Sequence, residues 1–333
     1  MRTQTLFHVG LVLLVFFVSA ELCVRGRLLF QDVYIWDNDG LFRYKPFCQV
    51  GDSLALTTNN AGFFGDILSK PKSENVFRVF ILGDSTVANP EIPDAVKTQL
   101  QLDYPSRSFE VNSTGIPRYT SYHNLLLVKN YLDRWKPDCL VIYLGMNDNV
   151  YNTNPNISAE PPVGLWRWSD LTHVVVWDML WYYGVHKRFL TTPEFDATPS
   201  VPRFEKHLRE ILEHAKQTET SVLLIQPATG FPTEDHLLAK AIQDAEKPMQ
   251  HFWGKLPCAL KGLEAHRQVL QRLATTYAIP LVDAQPVLPR SSEFFRDLCH
   301  FTSSGNRLFG RFIAQKLESE IEPLRAPTFD TTQ

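Results

Sequence analysis

Cysteine is scarce in this chain: five residues in 333, with no CxxC pair and no Cys/His spacing typical of a metal site. That excludes a disulfide-stapled scaffold and a zinc module. A pairing of Cys48 with Cys258 in an oxidising compartment stays open. Excess positive charge is missing too. Lys and Arg number 33 against 36 Asp and Glu, for a net charge of −3, and no basic stripe alternates with aromatics. Nucleic acid is therefore not an expected partner. Internal repeats and low-complexity tracts are absent. No glycine-rich phosphate loop follows the first strand-like run, which argues against a nucleotide binder. A GxSxG elbow is absent as well, because Val87 stands two residues after Ser85, which argues against the α/β-hydrolase fold.

What is present begins with an N-terminal targeting segment. Arg2 supplies positive charge, Leu6 to Val18 is apolar apart from His8, and Val18-Ser19-Ala20 looks like a small-residue cleavage site. The apolar run is shorter than the roughly 20 residues of a spanning helix. Glu21 to Leu29 continues helically without a break, which favours a signal anchor over residues 1–29. A signal peptide cleaved after Ala20 is the alternative. Either way the remainder is expected outside the cytoplasm, membrane-anchored or secreted.

Residues 30–74 read as an irregular extension and 75–322 as one domain, with a short tail over 323–333. Strand-like runs at Phe77–Leu82, Phe109–Asn112, Cys139–Leu144, Ser221–Gln226 and Ile279–Val282 alternate with helix-like stretches. Those stretches are Ile92–Leu102, Ser121–Trp135, Pro202–Gln217, Gly262–Tyr277 and Ser304–Leu317. Runs that are apolar throughout suit parallel strands buried on both faces. The pattern predicts a three-layer α/β/α, flavodoxin-like, doubly wound parallel sheet of about five strands. An insertion at about 150–200 carries Trp166, Trp168, Trp177, Trp181, Tyr182 and Tyr183. It reads as a satellite core, or as a wall facing substrate or membrane.

Short polar motifs sit after four of these runs. They are Gly83-Asp84-Ser85, Gly115, Gly145-Met146-Asn147-Asp148 and Asp297-Leu298-Cys299-His300. Carboxyl ends of parallel strands share one edge, so the four can meet in space. Ser85 is then the candidate nucleophile, at the mouth of a helix whose amides favour negative charge. His300 titrates near neutrality and is the candidate base. Asp297, three residues earlier, can fix its tautomer. The Ser85 and Gly115 N–H groups and the Asn147 amide are candidate oxyanion donors. Gly83, Asp84, Gly145 and Asp148 are expected to hold the loops, with the two carboxylates accepting loop amides.

In order and position these residues resemble the SGNH-hydrolase (GDSL esterase/lipase) family, exported bacterial type. Ser85, Gly115, Asn147 and His300 match its four blocks, and Asp297 completes the triad. Thr86 replaces the leucine of the family name. The resemblance implies a serine esterase that hydrolyses or transfers an acyl group with no metal or organic cofactor. The substrate would be a small-molecule, glycan or lipid ester. An O-acetyl group on a glycan comes first, a lipid ester or thioester second. A non-catalytic glycan- or partner-binding domain of the same fold is the rival. A second copy, Gly51-Asp52-Ser53-Leu54, spells the family name in full, yet no buried strand precedes it and the stretch after it, Ala55 to Gly62, is a poor helix. Context selects Ser85.

Overall fold

The computed structural model describes residues 41–50, 57–154 and 193–318, together with Tyr34–Trp36 and isolated positions nearer the N-terminus. The second serine motif at 51–54, the aromatic cluster from Trp166 to Tyr183 and nearly all of the N-terminal segment lie outside the described residues. Among the described residues no helix is long and apolar enough to cross a membrane.

Two short strands, β1 (Tyr34–Trp36) and β2 (Phe42–Tyr44), pair antiparallel. The main sheet has six strands. They are β3 (Phe64–Gly65), β4 (Val76–Leu82), β5 (Ser108–Ser113), β6 (Cys139–Ile142), β7 (Ser221–Gln226) and β8 (Leu281–Asp283). Their spatial order is β3-β5-β4-β6-β7-β8. The helices are α1 (Glu91–Asp103), α2 (Ser121–Trp135), α3 (Val150–Thr153), α4 (Ser200–Gln217), α5 (His236–Trp253), α6 (Leu256–Tyr277) and α7 (Ser303–Lys316). A 3-10 turn, Asn147–Asn149, leads into α3.

The five expected strands are present and parallel to one another. The sheet is nonetheless mixed, because β3 joins its edge antiparallel to β5. Two residues are too short to show a strand period, so the segment looks irregular in sequence. Helix α5 was also not expected, since Pro248 lies inside it. The open question of a Cys48–Cys258 pairing is answered: Cys48 and Cys258 do not form a disulfide with each other.

The sheet is buried on both faces because its strands alternate between two cores. Phe77, Val79 and Ile81 pack with Ile92, Val96 and Leu100 of α1 and Phe309 and Ile313 of α7. Phe80 and Leu82 point the other way, against Leu125 and Leu132 of α2 and Phe204 and Leu208 of α4. Each such side chain contributes about 1.5–3 kcal/mol.

A strand apolar on both faces has a weakly specified register, since a one-residue slip exchanges one hydrophobe for another. Arg78 removes that freedom. Its side chain is 2% exposed and sits beside Glu110, its register neighbour on β5. Its Nε donates to Glu110 Oε2 at 2.7 Å and its Nη2 to the Ser69 carbonyl at 2.9 Å. Nη1 donates to the Trp135 carbonyl at the end of α2. Any slip would strand a guanidinium among hydrophobes. Glu110→Ala leaves that cation buried and unpaired and should cost about 3–5 kcal/mol in urea unfolding. A loss below 1 kcal/mol would show that Arg78 finds other partners.

Candidate active site

At the carboxyl end of β4 the chain turns sharply through Gly83-Asp84-Ser85. A Cβ on Gly83 would come within 2.3 Å of Val87 Cγ2, so only glycine lets the turn close. The buried Asp84 holds the turn: its Oδ1 accepts from Thr86 N at 2.9 Å and Thr86 Oγ1 at 2.7 Å. Burial raises the Asp84 pKa, opposed by the Thr86 bonds. Ser85 itself is half-buried. It does not stand at a helix mouth, as the sequence suggested. Helix α1 starts at Glu91, whose N–H is accepted by Asn89 Oδ1 at 2.9 Å. The intervening Asn89-Pro90 is a helix-start signal, and it places the serine in a turn ahead of the helix.

His300 and Asp297 lie on the loop between β8 and α7. The loop is pinched shut by the Phe295–Phe301 bridge and by Arg296 N donating to His300 O at 2.8 Å. Asp297 Oδ1 accepts the N–H groups of Cys299 and His300, at 3.0 and 2.9 Å. Its Oδ2 lies 2.8 Å from His300 Nδ1, which assigns the proton there to Nδ1. Nε2 is thereby left as acceptor, 2.8 Å from Ser85 Oγ. The His300 pKa is raised well above 6.5: the adjacent Cys299 sulfur favours the cation most, burial opposes it, and Asp297 adds to it. Burial pushes the Cys299 thiol up to about 11. It is therefore neutral near pH 7, and the lasting charge beside the ring is Asp297, whose own pKa is lowered against burial by the His300 bond.

The other two segments reach the same edge. A Cβ on Gly115 would meet Asp84 O at 2.5 Å and Ala88 N at 2.7 Å, so glycine permits direct backbone contact with the serine turn. The Gly115 N–H makes only a long 3.3 Å bond to Ser113 Oγ. Asn147, buried in its 3-10 turn, donates from Nδ2 to Tyr119 O at 3.0 Å and accepts at Oδ1 from Trp253 Nε1 at 2.9 Å. Gly145 has φ +137°, and its carbonyl lies 2.7 Å from His266 Nδ1. Asp148 is buried and accepts from Ser121 N and Oγ, which ties the Asn147 turn to the start of α2. Burial lifts its pKa to about 7.

Ser85 and His300 are 215 residues apart, and a helix crossing brings them together. Helices α1 and α7, which follow the two loops, touch through Gly310: a Cβ there would lie 2.6 Å from Ala95 Cβ and 2.7 Å from Ile92 O. Glu91, in the first turn of α1, accepts from Asn306 Nδ2 at 3.0 Å, from Arg307 Nη1 at 3.1 Å and from Ser303 Oγ. The candidate site residues Gly83, Asp84, Ser85, Gly115, Gly145, Asn147, Asp148, Asp297 and His300 therefore lie at one edge of the sheet. Trp253, Tyr119 and Ser121 were not singled out, since no local motif marks them. The Asp297, Cys299 and His300 ligand atoms fall within 4.8 Å of one another. Asp297 and His300 direct those atoms at each other, so the donor set reads as a hydrogen-bonded pair.

The model of the GDSL-like lipase/acylhydrolase family matches residues 81–308. No curated protein matches the chain by sequence. Similar solved structures include a catalytic mutant of an acetylxylan esterase of Geobacillus stearothermophilus, at 16% identity and TM-score 0.44 over 74% of this chain and 94% of that one. Another is a lipase/acylhydrolase of Enterococcus faecalis, at 17% identity and TM-score 0.44 over 73% and 96%.

Gly310→Val should force α1 and α7 apart and separate Ser85 from His300. Labelling of Ser85 by a fluorophosphonate should slow by about tenfold or more, alongside a lower unfolding midpoint. Labelling at the original rate would mean that the loops hold the pair without the crossing.

Proposed function

The chain belongs to the GDSL-like lipase/acylhydrolase family and is a carboxylic ester hydrolase, and on that premise we propose that it works through a Ser85–His300–Asp297 triad and an acyl-enzyme. The unbroken run of hydrogen bonds from Ser85 Oγ through His300 to Asp297, with both side-chain links at 2.8 Å, carries this reading.

Ser85 Oγ attacks the ester carbonyl carbon as His300 Nε2 takes its proton. The tetrahedral oxyanion is held by the Ser85 N–H, the Gly115 N–H and the free hydrogen of the Asn147 amide. Donors fixed by the Gly115 contact and by the Tyr119 bond need no rearrangement when the charge develops. His300 then protonates the leaving alkoxide, and the acyl-enzyme forms. Water enters, gives its proton to Nε2 and attacks the acyl carbon, and the proton returns to Ser85 as the acid leaves. Asp297 stays ionised throughout and stabilises the imidazolium. An alcohol in place of water would give transfer by the same steps.

An exported esterase meets extracytoplasmic glycans, so an O-acetyl group on a glycan is the proposed substrate. The N-terminal segment, Arg2 followed by the apolar run Leu6 to Val18, supports export. The test is turnover of acetylated sugars and of p-nitrophenyl esters of increasing chain length, for the wild type and for Ser85→Ala. Short acyl chains should be preferred, and Ser85→Ala should lose roughly 10⁴–10⁶ in kcat. Preference for long chains would replace the glycan reading with a lipid ester. Retained activity in Ser85→Ala would remove the nucleophile.

His300 must be neutral to accept a proton. Because the Asp297 carboxylate favours the imidazolium, the acid limb of kcat/KM should lie above pH 6.5. Asp297→Asn removes the lasting charge that favours the cation, so the limb should move to lower pH as the rate falls. A wild-type limb at or below 6.5 would separate the titrating group from His300 as placed here.

A further inference from the structure

The chemistry just described needs the Asn147 amide in one of its two orientations. A carboxamide rotated by 180° exchanges a donor for an acceptor, and an acceptor aimed at an oxyanion would repel it. Two neighbours make the choice. The Tyr119 carbonyl, 3.0 Å from Nδ2, can only accept. The Trp253 indole N–H, 2.9 Å from Oδ1, can only donate. Rotation would set N–H against N–H at one end and oxygen against oxygen at the other.

Trp253 is itself firmly placed. It is 5% exposed and is the last residue of α5, ahead of Gly254 with φ +86°. A Cβ on Gly254 would meet Phe195 Cε1 at 2.7 Å and Pro193 O at 2.9 Å. The end of α5 is bound to the segment that follows Asn147: Thr153 Oγ1 and Asn154 Nδ2 donate to His251 O at 3.0 and 3.1 Å. The indole also leans on the His300 ring, with centroids 6.2 Å apart.

We infer that Trp253 is a positioning residue, whose indole N–H locks the Asn147 amide with its N–H toward the reacting oxygen. This rests on Asn147 being an oxyanion donor. In Trp253→Phe the ring against His300 is kept and the donor is lost. Site-specific replacement of Trp253 by benzothienylalanine keeps the whole bicyclic shape without the N–H, and it serves if phenylalanine disturbs folding. With p-nitrophenyl acetate and the full chain, either change should lower kcat by about tenfold to a hundredfold. KM should stay within about twofold, because the donor matters when charge develops. In an Asn147→Ala background, itself expected to lose about 10²–10³, neither change should lower kcat further.

Full kcat in either folded Trp253 variant overturns the inference, as does an equal loss in the Asn147→Ala background. The failure of the underlying reading looks different: Asn147→Ala alone would lose only a few-fold.

Discussion

Parallel pairing of β4 with β5 on one side and β6 on the other is the constraint from which everything at the site follows. It sends the chain off all three strands at one edge. Gly83-Asp84-Ser85, Gly115 and Asn147 therefore emerge side by side, although they are far apart in sequence. The pairing holds only in one register, and hydrophobicity cannot choose it, because β4 is apolar on both faces. The buried Arg78–Glu110 pair chooses it from the opposite end of the same strands. A charged pair that contributes little net stability thus serves placement. A shift of one residue at Arg78 would carry Ser85 along the strand axis by about 3.3 Å, more than the whole of its 2.8 Å contact with His300.

The last strand and helix supply the other half of the site by a different device. His300 is not adjacent to β4 in the sheet; it arrives because α7 lies across α1 at Gly310 with no Cβ between them. The glycine sets the approach, and Glu91 sets the angle by collecting Ser303, Asn306 and Arg307 from the first turns of α7. Sheet register and helix crossing are independent constraints, and the Ser85–His300 hydrogen bond exists where they intersect.

How much of this was legible in the sequence depended on the range of the physics involved. Ser85, Gly115, Asn147 and His300 could be read because each follows an apolar run and strand ends share an edge. Helix α2 was read to its residue limits, Ser121–Trp135, since its apolar face recurs at helical spacing. The gap between Ser85 and α1 was also legible, since the helix-like stretch begins at Ile92 and Asn89-Pro90 stands just before it. Strand β3 was not legible: Phe64-Gly65 carries no period, and its pairing with Asn112 and Ser113 is a tertiary event. Trp253 was beyond reach for the same reason. Its role comes from where α5 ends against the Asn147 turn, and nothing local to residue 253 encodes that.

Three carboxylates within this edge show why placement, and not residue type, decides chemistry. Asp84, Asp148 and Asp297 are all removed from water, and burial favours the protonated form of each. Asp84 and Asp148 accept hydrogen bonds from neutral partners, Thr86 and Ser121, and burial prevails: both are raised, Asp148 to about 7. Asp297 faces an imidazole that can become a cation, and there the pairing prevails over burial. The site thereby keeps its firmest negative charge on the side of His300 remote from Ser85, where it stabilises an imidazolium.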